Sequence, residues 1–134
     1  MVGRPEKTYR MLLADDDRGF RESLRLLFEP FFELLEADSG EQTIEIVEHH
    51  SVDIVLIDMH MDVLTGIETV QRIRPIIAAA PCILVTADAT DELRREADVH
   101  AVLSKPVEKQ ELVTTVSTAL HDAYDDPDPF HRWA

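Results

Sequence analysis

The chain has 134 residues, 45% of them hydrophobic, with one cysteine and 27 acidic against 13 basic residues for a formal charge of -14. That length suits one domain with one core and leaves no room for a second, and the charge disfavours sequence-independent attraction to nucleic acid phosphates. Cys82 alone excludes an internal disulfide framework, no apolar stretch reaches the about 18 residues needed to span a bilayer, and residues 1–7 lack the apolar region of a secretory signal, so a soluble, cytoplasmic protein without membrane or direct nucleic acid contact is expected.

After an N-terminal extension of residues 1–9, Met11-Leu12-Leu13-Ala14 is a short apolar run ending in Asp15-Asp16-Asp17, and it reads as a first strand. Phe20, Leu24, Leu27 and Phe28 then share one helical face over about Arg18 to Glu29, where Pro30 stops the helix. Asp17 fits the start of that helix. A second strand lies within the patchy alternation of Phe31 to Ala37, and Ser39 and Gln42 have capping-box spacing for a helix running through His49. His49 and His50 close that helix and carry no functional weight.

Asp53 to Asp58 is an apolar third strand closed by a carboxylate; Leu64, Ile67, Val70 and Ile73 mark a third helix before Pro75. A fourth strand spans about Cys82 to Thr86, a short fourth helix Asp88 to Ala97, and a fifth strand Ala101 to Ser104 running into Lys105-Pro106. Leu112, Val113, Val116, Ala119 and Leu120 stripe the last helix, through about Tyr124. Residues 125–134 are rich in proline and acid, which predicts an irregular tail. Within it, Phe130 and Trp133 are aromatic anchors for an alternative docking role, but the composition favours disorder.

Five strands alternating with five helices, with strands too apolar to have a wet face, predict a doubly wound parallel α/β sheet. In such sheets ligands bind outside the carboxyl ends of the strands, where strand order reverses. The polar strand endings therefore meet at one edge. They gather Asp15, Asp16, Asp58, the Thr86 hydroxyl and the Lys105 ammonium, a set suited to a divalent cation and a phosphoryl group.

With these residues, from about Arg10 to Tyr124, the chain resembles the receiver domain of two-component response regulators, the fold also seen in the bacterial chemotaxis regulator. The resemblance implies a flavodoxin-like (βα)5 domain over residues 10–124 with strand order 2-1-3-4-5. Asp58 is the expected nucleophile, since a carboxylate attacking phosphorus gives an aspartyl phosphate. Mg²⁺ is the expected cofactor, held directly by Asp16 and Asp58, by Asp15 through water, and by the backbone carbonyl of His60. The His60 imidazole is rejected as a ligand because it suits a hard cation poorly.

The same resemblance has Lys105 pairing first with Asp58 and then with a phosphoryl oxygen, while Thr86 and the backbone N–H groups of Met59 and Ala87 donate further hydrogen bonds. The Lys105-Pro106 bond is expected to be cis. The side chains of His60 and Asp88 are expected to tune water access and phosphoryl lifetime. A sensor histidine kinase or phosphotransfer protein is the expected donor, with an unspecified downstream target and homodimerisation left open.

Three departures from the family pattern stand out. Asp62 replaces a usual proline, loosening the loop after Asp58; the stretch from Thr86 to Lys105 is short, so the fourth helix should be short or displaced; and Val102 replaces an aromatic that typically turns inward during switching. These keep a phosphorylation-independent pseudo-receiver module as the alternative function. A metal-dependent phosphatase acting on external substrates lacks a visible general acid or base.

Overall fold

The computed structural model describes residues 8–130. Its elements alternate without exception: β1 (Arg10–Ala14), α1 (Arg18–Phe28), β2 (Glu33–Ala37), α2 (Gly40–His49), β3 (Ile54–Asp58), α3 (Gly66–Ile73), β4 (Cys82–Thr86), α4 (Asp91–Glu96), β5 (Ala101–Ser104) and α5 (Lys109–Tyr124). The strands form one parallel sheet in the order β2-β1-β3-β4-β5. Strand order reverses at β1, whose neighbours are β2 and β3, so the crevice between the β1 and β3 ends is the topological switch point.

Successive strand residues face opposite sides of the sheet, and the core divides accordingly. Met11, Leu13, Ile54, Leu56, Ile83, Val85 and Leu103 meet Leu24 and Phe28 of α1 and Leu112, Val116 and Leu120 of α5. On the other face Leu12, Ala14, Val55, Ile57, Leu84 and Val102 meet Val47 of α2 and Val70 and Ile73 of α3, with Leu93 of α4 packed alongside. Both faces are covered, which is why β3 and β4 are buried along their whole length and read as continuous apolar runs.

Local chemistry sets the helix starts. The Asp17 side chain accepts from Phe20 N at 3.2 Å and caps α1. Ser39 caps α2 by accepting from Gln42 N, while the Gln42 side chain reaches back to Asp38 N, one residue earlier than a strict capping box. Thr65 and Glu68 form a complete capping box on α3. Helix α4 is shorter than the Asp88 to Ala97 expected. Thr90 caps it at Leu93 N, and the chain turns extended at Ala97 to bring His100 N to the Cys82 carbonyl and enter β5.

The C-terminal segment departs from the disorder its composition suggests. Asp125–Phe130 has no regular structure, yet Phe130 stacks edge-on against Phe31 and Phe32 at 5.2 and 5.1 Å between centroids. Tyr9, expected in an extension, is buried and donates its hydroxyl to Asp126 at 2.5 Å. The physical reason is a set of rings at the end of the sheet away from the switch point, which the segment covers. Trp133, the other expected anchor, and residues 1–7 of the extension lie outside the described residues.

Candidate functional site

At the end of β1 the chain leaves the sheet through its aspartates. Asp15 N still donates to the Ala37 carbonyl at 3.0 Å, so Asp15 remains tied to the sheet and is only 2% exposed. Its Oδ1 accepts from Asp17 N at 2.8 Å. Asp16, next along, is exposed. Asp58 ends the central strand β3 and is 5% exposed. Carboxylate oxygens of Asp15, Asp16 and Asp58 all lie within 4.8 Å of one another.

Lys105 enters this group from the end of β5. Its backbone N–H donates to the Thr86 carbonyl at 2.8 Å, and the Lys105-Pro106 bond is cis. The ammonium lies 3.0 Å from Asp15 Oδ2 and 3.3 Å from Asp58 Oδ1. It is thus shared between two carboxylates and stands nearer Asp15, where a first pairing with Asp58 was expected. A third neighbour is the Phe20 ring, whose centroid is 4.3 Å away.

Burial pushes the Asp58 carboxyl above its ordinary value, the charge of Asp15 adds to the rise, and Lys105 and the His60 backbone N–H oppose it. For Lys105 burial acts to lower the value, but the hydrogen bond and charge of Asp15, followed by Asp58, outweigh it and hold the ammonium above its usual range. The site therefore crowds negative charge around one strand end and offsets it with one lysine. An excess of hard oxygen donors in a confined space fits a divalent cation such as Mg²⁺.

The expected hydrogen-bond donors are placed less uniformly. Thr86 is fully buried at the end of β4, and its hydroxyl accepts from Asp88 N at 3.1 Å, closing its own turn. The Met59 N–H donates to the Val85 carbonyl at 3.2 Å, extending the β3–β4 ladder by one residue. Ala87 follows Thr86 on the exposed turn. His60 Nε2 and Asp88 Oδ2, whose side chains were expected to act on water access together, form a 3.0 Å pair joining the loops after β3 and β4.

Further residues shape the site from around it. A Cβ on Gly66 would meet Leu84 Cδ1 at 2.8 Å and Met59 Cα at 2.9 Å, with the Asp58 carbonyl closer still, so α3 starts directly against the end of β3. Val102 packs into the sheet's second face, and Arg94 of α4 donates to its carbonyl at 2.5 Å and reaches Ser104 Oγ at 3.4 Å. Phe20 was legible only as part of the α1 apolar face. Its place three residues after the capping Asp17 is the signal that it stands in the first turn, at the site edge.

A doubly wound parallel sheet with a carboxylate triad and a lysine at its switch point defines a class of α/β domain with an acidic site at the strand ends, and known proteins make the assignment specific. Residues 11–117 match the model of the response regulator receiver domain, and the chain belongs to that family. It is 29% identical over 115 residues to the chemotaxis protein CheY of Halobacterium salinarum, covering 83% of this chain and 96% of that protein. It is also 29% identical over 133 residues to the transcriptional regulatory protein GlrR of Escherichia coli, covering 95% of this chain but 29% of that protein. The chain thus spans less than a third of the length of that relative. Among solved structures, a CheY-like receiver domain from Methanospirillum hungatei superposes with a TM-score of 0.83 at 21% identity, over 89% of this chain and 98% of that one. Among the described residues no helix is long and apolar enough to cross a membrane.

Proposed function

We propose that this receiver domain is a phosphoacceptor switch that takes a phosphoryl group onto Asp58 from a sensor histidine kinase or phosphotransfer protein and thereby changes its affinity for a downstream partner, in the cytoplasm. The observation that carries this is the buried Asp58 carboxylate beside Asp15, Asp16 and the shared Lys105 ammonium. An Asp58 oxygen attacks phosphorus, the bond from phosphorus to the donor atom breaks, and the donor leaves with that electron pair. Catalysis is confined to the domain's own phosphorylation and dephosphorylation.

Asp16, Asp58 and the His60 carbonyl would hold Mg²⁺, with Asp15 acting through water; the ion supplies positive charge where two anions meet. That division suits Asp15, whose oxygens already serve Lys105 and Asp17 N. Lys105 moves from the carboxylates to a phosphoryl oxygen. Thr86 and the Met59 and Ala87 N–H groups donate to the same group; the Thr86 hydroxyl does so while still accepting from Asp88 N, whereas Met59 gives up its bond to Val85. The His60–Asp88 pair, which joins the loops after β3 and β4, would tune the access of water and with it phosphoryl lifetime.

Intact mass after incubation with acetyl phosphate tests this. A phosphoryl adduct that requires Mg²⁺ and is lost in Asp58→Asn is expected. No adduct under rapid quenching would favour the alternative, a phosphorylation-independent module, which draws its support from the Met59 N–H being engaged within the domain.

A further inference from the structure

Lys105 is held by two kinds of partner that respond differently to chemistry at Asp58. Asp15 and Asp58 take the ammonium as carboxylates, at 3.0 and 3.3 Å. Phe20 takes it on a ring face, at 4.3 Å from the centroid. The ring is fixed from both sides: the Phe20 backbone N–H is bonded to the capping Asp17 carboxylate, and the side chain packs against the core between α1 and α5. The run Asp15 to Asp17 therefore supplies the acidic site and also sets where the ring stands.

The Asp58 carboxylate is lost as a partner when it is phosphorylated, while Asp15 remains. Formation of the aspartyl phosphate moves the negative charge from the Asp58 carboxylate to the phosphoryl oxygens, and a hard cation would draw on the Asp58 carboxylate as well. An aromatic face attracts an ammonium through its quadrupole, exchanges no proton and offers a hard cation no ligand atom. Its hold on Lys105 is the same before and after transfer. It also leaves the three N–H donors of the lysine directional enough to turn from carboxylate to phosphoryl oxygen.

We propose that Phe20 is a positioning residue for the acceptor reaction, a platform that, with Asp15, keeps the Lys105 ammonium at the site while its Asp58 partner is consumed. The proposal rests on Asp58 being the phosphoacceptor. Phe20 also lines an open groove with Ser23, Leu24, Leu27 and Val107, which leaves room for a ring hydroxyl and makes Phe20→Tyr a conservative variant.

The test compares the full chain with Phe20→Leu and Phe20→Tyr. The initial rate of phosphoryl incorporation from acetyl phosphate with Mg²⁺, read by intact mass, should fall roughly fivefold in Phe20→Leu and recover in Phe20→Tyr. In parallel, the Lys105 ε-methylene protons should show an upfield ring-current shift by NMR in the wild type and Phe20→Tyr, and lose it in Phe20→Leu. Thermal midpoints identify any variant that fails to fold, and Phe20→Met then replaces Leu. A wild-type rate in Phe20→Leu, a Phe20→Tyr rate as low as that of Leu, or an unshifted Lys105 methylene in the wild type each overturns the proposal. An unmodified wild type defeats the phosphoacceptor role itself and the kinetic role of Phe20 with it, whereas an active wild type with an unchanged Phe20→Leu rate defeats Phe20 alone.

Discussion

At the scale of single residues, Asp58 is placed where an ionised carboxylate is uncomfortable. Burial and the Asp15 charge raise its carboxyl above the ordinary 3.8, so the folded protein holds this proton more tightly than the unfolded chain does. Between the unfolded and folded values stability from this group falls as pH rises, and at neutral pH the fold carries the full cost of the ionised form. Asp58→Asn removes that cost while Lys105 keeps Asp15 as its nearer partner. The variant should therefore melt above the wild type in metal-free buffer at neutral pH, and the gap should close as pH is taken below 3.8. Mg²⁺ should act in the opposite sense across the pair, stabilising the wild type by about 2.7 kcal/mol at a hundredfold excess over Kd and the variant by less. Calorimetry with and without Mg²⁺ checks both; equal midpoints throughout would remove Asp58 from the acidic cluster. Asp15, Asp58, Thr86 and Lys105 were legible because each ends an apolar run, and strand ends converge in a parallel sheet. The pairing of His60 with Asp88 and the ring under Lys105 were not, because both join side chains from different segments whose separation only the fold sets.

Among the elements, the connection from β3 to α3 bears the most strain. Val63 lies in it with φ at 65°, a positive value that a β-branched side chain disfavours, at the centre of a three-residue turn closed by Leu64 N on the Asp62 carbonyl at 2.8 Å, and it is 82% exposed. Neither packing nor a turn glycine relieves it. The segment is pinned instead at both ends, by Gly66 N on the Met59 carbonyl at 2.8 Å and by the capping box of Thr65 and Glu68. This bears on Asp62, where the missing proline was expected to loosen the loop: the hydrogen bonds beside it constrain the chain from its far end. Val63→Gly adopts the positive φ without a Cβ, so it should stabilise the fold by about 0.5–1 kcal/mol. Urea unfolding measures this, and a loss of stability would mean that Val63 makes contacts its exposure does not suggest. Element order and the ends of β4 and β5 followed from apolar runs bounded by polar residues. The start of α4 did not, since it depends on the Thr90 hydroxyl reaching Leu93 N and on how far the chain must travel to enter β5.

Over the whole molecule, the segment beyond the family's 11–117 span closes the end of the sheet opposite the acidic site. Tyr124 donates its hydroxyl to the Asp53 carbonyl at 2.6 Å and stacks on Tyr9 at 5.4 Å, and burial pushes its phenol up to about 12. Phe130 then meets Phe28, Phe31 and Phe32. Composition gave no sign of this, because acid and proline argue against a core of the segment's own, while the rings it covers belong to α1 and the turn before β2. A half-buried phenylalanine in an aromatic cluster should matter less than a fully buried one, for which loss to alanine costs about 3–5 kcal/mol. Phe130→Ala is accordingly expected to cost about 2 kcal/mol, and deletion of residues 125–134 more, since deletion also strips Asp126 from the buried Tyr9 hydroxyl. Because the cluster lies at the far end of the sheet from Asp58, Phe130→Ala should leave the acetyl phosphate reaction unchanged at temperatures where the variant stays folded. Urea unfolding beside the mass assay separates the two effects. Wild-type stability in Phe130→Ala would make the segment an appendage, and a slowed acceptor reaction in a folded variant would mean that the two ends of the sheet are coupled through α1.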